Sequence, residues 1–336
     1  MTEQRPNYID YAKVITMFLV IYGHYIPYMG LDMGDNAMWG SVHIINLFHM
    51  PLFFFVSGML FKRLPFKETI KKTWSTLGIP YLLLGLITIT IGLTLSGIKG
   101  TLSIGQIASN VAALLSGGDF ISELTFSGPL WFCYALIIIK MIQSINLKIV
   151  ALGGVIFGVI ILYKGNVLPC RIDSALVGNL FFMMGYYSKS ICSKVFSNRN
   201  LYLIPAGLAG ILLLIAVLYI SDDIHAKQVL SINACYFGKY PLFYLAGGIG
   251  GIMLIFAISS LLSAYKYKVV LDLSVGMIIT LGFQKILFTL FKKIIEPTYS
   301  LWMAIGLSLL VYVICYLLIK LSAKHLPILM GNRKLN

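Results

Sequence analysis

Charge is what this chain has least of. Only 11% of its 336 residues are Asp, Glu, Lys or Arg, against about 25% in an ordinary soluble domain. With 59% hydrophobic residues and a mean hydropathy of +0.88, that scarcity excludes a soluble enzyme. Residues 1–336 read as one integral membrane domain with no room for a separate soluble one. Acid is scarcer than base, 12 residues against 26, for a net charge of +14. Loops rich in Lys and Arg that stay in the cytoplasm account for such a surplus, so no nucleic-acid partner is expected. The five cysteines include no Cys-x-x-Cys pair and no metal spacing. They read as small core residues, with a disulfide left open only for Cys170 and Cys235, whose loops share a side, and no metal is expected. There is no internal repeat and no low-complexity linker, which weighs against many secondary transporters. The first apolar stretch lacks a small-residue cleavage site and reads as an anchor rather than a cleaved signal.

What the sequence does contain is apolar stretches of spanning length, about 20 residues each. Ten are read, over 9–28, 42–61, 75–96, 128–145, 147–164, 173–191, 201–220, 241–263, 270–291 and 300–321. The expected fold is an all-α polytopic membrane bundle of about ten transmembrane helices. With an inside N-terminus, the inner segments hold 17 basic residues, including Arg5, Arg199 and Lys334, and the outer ones seven. That bias puts both termini in the cytoplasm. Lys292 and Lys293 run against it. The connection 97–127 is the longest outer one. Its stretch Ile104 to Leu115 fits either an interfacial amphipathic helix or a plain loop.

Titratable residues inside these stretches are the next signal, since each costs roughly 2.5 kcal/mol or more at membrane depth. The first carries Asp10, Lys13 and His24, and helical spacing puts all three on one face. The second carries His49 at a depth close to that of His24, with Asn46 on the same face, Pro51 as a kink candidate and Ser57-Gly58 allowing close backbone approach. Two imidazoles at one depth suit proton transfer near neutral pH. Plainer roles stand beside this one. Either His is a hydrogen-bonded structural group, Lys13 snorkels to the inner headgroups, Phe53 to Phe55 pack the core, and Lys62 to Lys72 set topology. His43 and His225 fall at or beyond span edges and read as solvated.

Lys13-x10-His24 resembles the first-span (Arg/Lys)-x10-His pattern of the acyltransferase-3 family of integral membrane acyltransferases. Phe48-His49-Met50-Pro51-Leu52-Phe53-Phe54-Phe55-Val56-Ser57-Gly58 resembles the second span of its fucose 4-O-acetylase-like branch. Gly128-Pro129-Leu130-Trp131-Phe132, Leu168-Pro169 with Ile172-Asp173 and Gly185-Tyr186, and the closing His325-Leu326-Pro327 with Gly331 are similar to later motifs of that branch, in order along nearly the whole chain. Gln284 stands where related sequences often place a His, and Lys67, Lys71 and Lys72 where they often show arginines.

The resemblance implies transfer of an acyl group, usually acetyl, from cytoplasmic acetyl-CoA to a hydroxyl of a sugar or polysaccharide, in a multi-pass protein of the cell inner membrane, with membrane lipid as surroundings and self-association compatible. It implies His24 as general base and His49 as its orienter or an acceptor contact. It implies Lys13, held by Asp10, with Lys67, Lys71 and Lys72 as donor contacts, and Asn46, Trp131, Arg171, Asp173 and Gln284 as acceptor contacts. The alternatives are a transporter or flippase for a glycan or lipid-linked precursor, and a structural subunit that has lost the chemistry.

Overall fold

A computed structural model describes residues 6–31, 37–118, 128–145, 148–165, 168–197, 201–221, 229–333 and 335. Arg5, Arg199, His225, Lys227 and Lys334 lie outside the described residues. Among those described the chain is all-α, with an isolated antiparallel bridge between Ser231 and Tyr236 as its β structure. The helices are α1 (Asn7–Gly23), α2 (Tyr25–Met29), α3 (Ala37–Met59), α4 (Phe66–Thr73), α5 (Ile79–Ile98), α6 (Ile104–Ser116), α7 (Trp131–Ser144), α8 (Lys148–Lys164), α9 (Ile172–Phe196), α10 (Leu203–Ser221), α11 (Pro241–Leu262), α12 (Lys268–Val275), α13 (Met277–Phe291) and α14 (Leu301–His325). Among the described residues five spans are long and apolar enough to cross a membrane, six if α12 and α13 count as one bent span. This is an all-α membrane protein.

Helix α3 is the axis of the bundle: 83% of its apolar window is buried, against 28% for α10 at the periphery. It is gripped by α9 through two glycines. A Cβ on Gly58 would meet the Phe182 carbonyl oxygen at 1.9 Å, and one on Gly185 the Phe55 carbonyl oxygen at 2.0 Å. In lipid, where apolar surface gives helices little reason to associate, close backbone approach supplies the packing instead. Phe54 fills the space left by Gly178, and rings of Phe53 and Phe54 pack at a tilt against Phe132. The aromatic run is core packing, with Phe53 also facing a cavity.

Three of the expected spans are not simple rods. The first breaks between α1 and α2, at His24 (φ −87°, ψ −6°), whose N–H still bonds to the Val20 and Ile21 carbonyls. The third starts earlier, running from α4 through a single π turn, Trp74–Gly78, into α5; such turns often mark functional sites. The ninth bends by 78° at Gly276 between α12 and α13. There the glycine is pressed against Ile319, where a Cβ would sit 2.4 Å away. Asp272, fully buried on α12, pairs with Lys320 of α14 at 2.5 Å and holds the bent segment in place.

The stretch 104–116 is a helix, not a plain loop. Ser103 caps it by accepting from the Gln106 N–H at 3.1 Å, and Ile104 and Leu115 are 86% and 66% exposed, as an interfacial helix requires. The disulfide left open in the sequence does not form. All five cysteines are free thiols, and that of Cys235 donates to the Ile232 carbonyl.

Candidate functional site

His24 stands at the break between α1 and α2. The ring lies stacked on Tyr28, centroids 4.9 Å apart, and its Nδ1 is 3.1 Å from Oε1 of Gln284. An amide oxygen only accepts, so Nδ1 carries the hydrogen and the neutral ring keeps its lone pair on Nε2. His49 is arranged the same way from its own helix: Nδ1 donates to the Ile45 carbonyl at 3.0 Å. Both rings line one cavity of about 360 Å³, together with Asn46, Trp39, Trp131 and the Ser231–Ala234 turn. Asn46 also donates to the Val42 carbonyl at 2.8 Å. This volume lies in the range of small-molecule sites.

A second cavity, of about 370 Å³, opens at the other end of α3, where Phe53, Val56, Ser57 and Leu60 take over from the residues at 39–50. Five cations line it: Lys13, Lys62, Lys72, Lys140 and Arg333. No carboxylate is among its lining residues, so its field favours an anion. Lys13 reaches the bend of the ninth span and donates to the Ser274 carbonyl at 2.6 Å and to its hydroxyl at 2.8 Å. The Ser274 hydroxyl in turn donates to buried Asp10. Lys13 therefore serves a carbonyl orphaned where α12 stops while facing the cavity, and it is fixed rather than snorkelling. Lys67 and Lys71 are exposed on α4 outside this lining.

Arg333 arrives from the C-terminal segment. The 3₁₀ turn Pro327–Met330 ends at Gly331, whose φ of +65° is a left-handed conformation that suits glycine. A Cβ there would meet the Thr76 backbone at 2.7 Å. Gly331 thus docks the tail on the π turn, and Arg333 follows into the cavity.

Among the described residues Leu281 alone lines both cavities. It sits on α13 one turn before Gln284, so a single helix carries both the shared lining residue and the partner of His24.

Arg171 and Asp173 are found elsewhere. Arg171 donates to the carbonyls of Gly117 and Gly118, at 3.1 and 2.7 Å, and to that of Asn233 at 2.8 Å. Asp173 accepts from the Leu168 N–H at 2.6 Å. Neither lines either cavity; Arg171 acts by bracing Asn233, which does. His43, expected to be solvated, is 2% exposed and packs edge-on to Trp39, 4.9 Å between centroids. Three contributors were not singled out from sequence. Ser274 gave no signal there. Lys140 gave one, a cation inside an apolar span, and Arg333 another, a cation two residues past Gly331.

The sequence model of a family described as an acyltransferase domain matches residues 7–320. Nodulation protein NolL of Mesorhizobium japonicum (strain LMG 29417 / CECT 9101 / MAFF 303099) is 43% identical over 61 residues, 18% of this chain. The match spans only 16% of that relative's length. No solved structure gives a significant match.

Proposed function

The chain belongs to the acyltransferase family matched over residues 7–320, and on that premise we propose that it is a membrane O-acyltransferase that moves acetyl from cytoplasmic acetyl-CoA to a hydroxyl of a sugar or surface polysaccharide. The reading includes about ten spans, both termini in the cytoplasm, residence in the cell inner membrane, and kinship with the fucose 4-O-acetylase-like branch. One observation carries it: a basic cavity and a two-histidine cavity lie toward opposite ends of α3 and meet at Leu281.

The basic cavity suits the phosphates and pantetheine arm of the donor, held by Lys13, Lys72, Lys140 and Arg333. Lys67 and Lys71 on α4 give its nucleotide end an attractive surface. The thioester then lies at Leu281, beside His24. His24 Nε2 takes the proton of the acceptor hydroxyl as that oxygen attacks the thioester carbon; the C–S bond breaks, and His24 returns the proton to the departing thiolate. Gln284 holds the ring for both steps. His49 and Asn46 offer the acceptor hydrogen bonds from α3, and Trp131 offers a flat apolar face of the kind that packs against sugar rings.

The experiment is transfer by the purified full-length protein, supplied with acetyl-labelled acetyl-CoA and with surface glycan or its lipid-linked precursor from a strain lacking the gene. The expected result is label in alkali-labile ester on the glycan and one free CoA thiol per ester. A transporter would move the glycan without new ester, and a structural subunit would do neither; either result would remove the assignment.

Gly331→Ala tests the donor side. A Cβ at that φ, 2.7 Å from the Thr76 backbone, must dislodge the turn and withdraw Arg333. Loss of one charge-assisted contact, about 1.5–3 kcal/mol, predicts a KM for acetyl-CoA raised roughly 10- to 100-fold, with kcat at saturating donor little changed. An unaltered KM would separate Arg333 from donor binding.

A further inference from the structure

Five hydrophobic side chains stand where the two cavities abut. Along α3 the lining passes from Met50, in the two-histidine cavity, to Phe53, in the basic one, a step of about 4.5 Å along the helix axis. On α7 Trp131 lines the first cavity and its neighbour Phe132 the second. On α13 Leu281 lines both. All five are buried. Whatever reacts between a donor in one cavity and an acceptor in the other must lie in this layer.

The aromatic side of the layer is fixed. Phe132 packs against Phe53 and Phe54, with centroids 5.8 and 4.9 Å away, and Trp131 lies 6.2 Å from Phe54. Phe54 in turn occupies the space beside Gly178. Helix α13 is held too. The residue after Leu281 is Gly282, where a Cβ would meet Leu84 of α5 at 3.2 Å, so α13 is seated on α5 with no slack on that side. Close-packed groups of this kind do not yield to an extra methylene without cost. The room between the cavities is therefore set by the side chain at position 281.

From this we infer that Leu281 sets the length of the acyl chain that is transferred, by walling the acyl group where the thioester reaches from the basic cavity toward His24. The inference rests on the acyl-transfer reading above. Acetyl has a single methyl beyond its carbonyl carbon. Butyryl adds two methylenes, which must displace the isobutyl group of Leu281 or take the space of the acceptor. One methylene too many in a hydrophobic pocket costs about 10- to 200-fold. Succinyl is turned away by charge as well as by length, since its carboxylate would be buried among hydrophobic side chains.

The test measures binding and transfer by the purified full-length protein. S-ethyl-CoA and S-butyl-CoA, thioethers that bind but cannot transfer, are titrated by calorimetry. Acetyl-, butyryl- and succinyl-CoA are compared as donors to the glycan. Wild type is expected to bind S-butyl-CoA at least about tenfold more weakly than S-ethyl-CoA, and to use butyryl-CoA at least about 100-fold less well than acetyl-CoA. Leu281→Ala removes three carbons. It should bring the two thioethers to within about threefold of each other and raise the butyryl-to-acetyl ratio of kcat/KM at least about tenfold. Leu281→Val should move both quantities the same way by less, and decides the matter if the alanine variant does not fold. Succinyl transfer should not rise in either. Affinity for free CoA should stay at the wild-type value, and Leu84→Val, behind α13 and outside both linings, should leave the donor ratio unchanged. An unchanged donor ratio in the Leu281 variants with free CoA bound normally would overturn the inference and leave acyl transfer standing. So would an equal gain for succinyl, or wild-type protein that binds both thioethers alike. If wild type transferred no acyl group from any donor, the acyl-transfer reading would fall, and the thioether titrations would still judge Leu281.

Discussion

His24→Ala should lower acetyl transfer by about 10²–10⁴-fold, the usual contribution of a positioned general base, or about 2.7–5.5 kcal/mol of barrier. The expectation rests on where the lone pair is. Gln284 accepts from Nδ1, which leaves Nε2 as the basic nitrogen, and the ring lines the two-histidine cavity but not the basic one. Transfer should therefore fall while donor binding stays intact. Acetyl-CoA affinity, measured by isothermal titration on the same preparation, should match wild type within a factor of about two. Residual transfer above background is expected, because His49 and the cavity still position the reactants. Wild-type acetylation at wild-type protein level would end the role given to His24.

The second large effect belongs to a residue that need not touch the acceptor. Gln284→Leu keeps the volume of the fully buried side chain but removes the acceptor that fixes the His24 tautomer and ring angle. Misplacing a catalytic group by about 1 Å can cost around 10²-fold, and that is the fall expected in kcat, with the KM for acetyl-CoA unchanged. Gln284→Glu restores an acceptor at the same distance and should recover kcat to within about tenfold of wild type. A merely structural role predicts the opposite pattern: Leu tolerated in a buried site, and a buried carboxylate damaging. Equal losses in the two variants would reject the positioning role.

Much of this was legible along the chain, and the exceptions share a cause. Apolar length located helices at all ten stretches, because in lipid every backbone group must be satisfied within its own segment. The spacing from Lys13 to His24 and the neighbourhood of His49 marked the two rings that line one cavity. What could not be read locally were partners far apart in sequence. Gln284 meets His24 across 260 positions, Ser274 meets Lys13 across 261, and Arg333 reaches its cavity only because Gly331 seats against Thr76. The break at His24 was hidden for a related reason. Its backbone N–H still bonds to Val20 and Ile21 within the helix, so hydropathy runs smoothly across it. His43 sat at a span edge by count, yet Trp39, one turn away, covers it. Arg171 looked available because it is charged and near a loop, but the carbonyls that engage it come from two distant turns.

Leu281 carries a consequence for the reaction. Its isobutyl group is the point at which the two cavities share a lining residue. On the proposed reading, donor and acceptor would each occupy a separate cavity, and the bulk of the side chain at position 281 would then set how closely the two reactants approach.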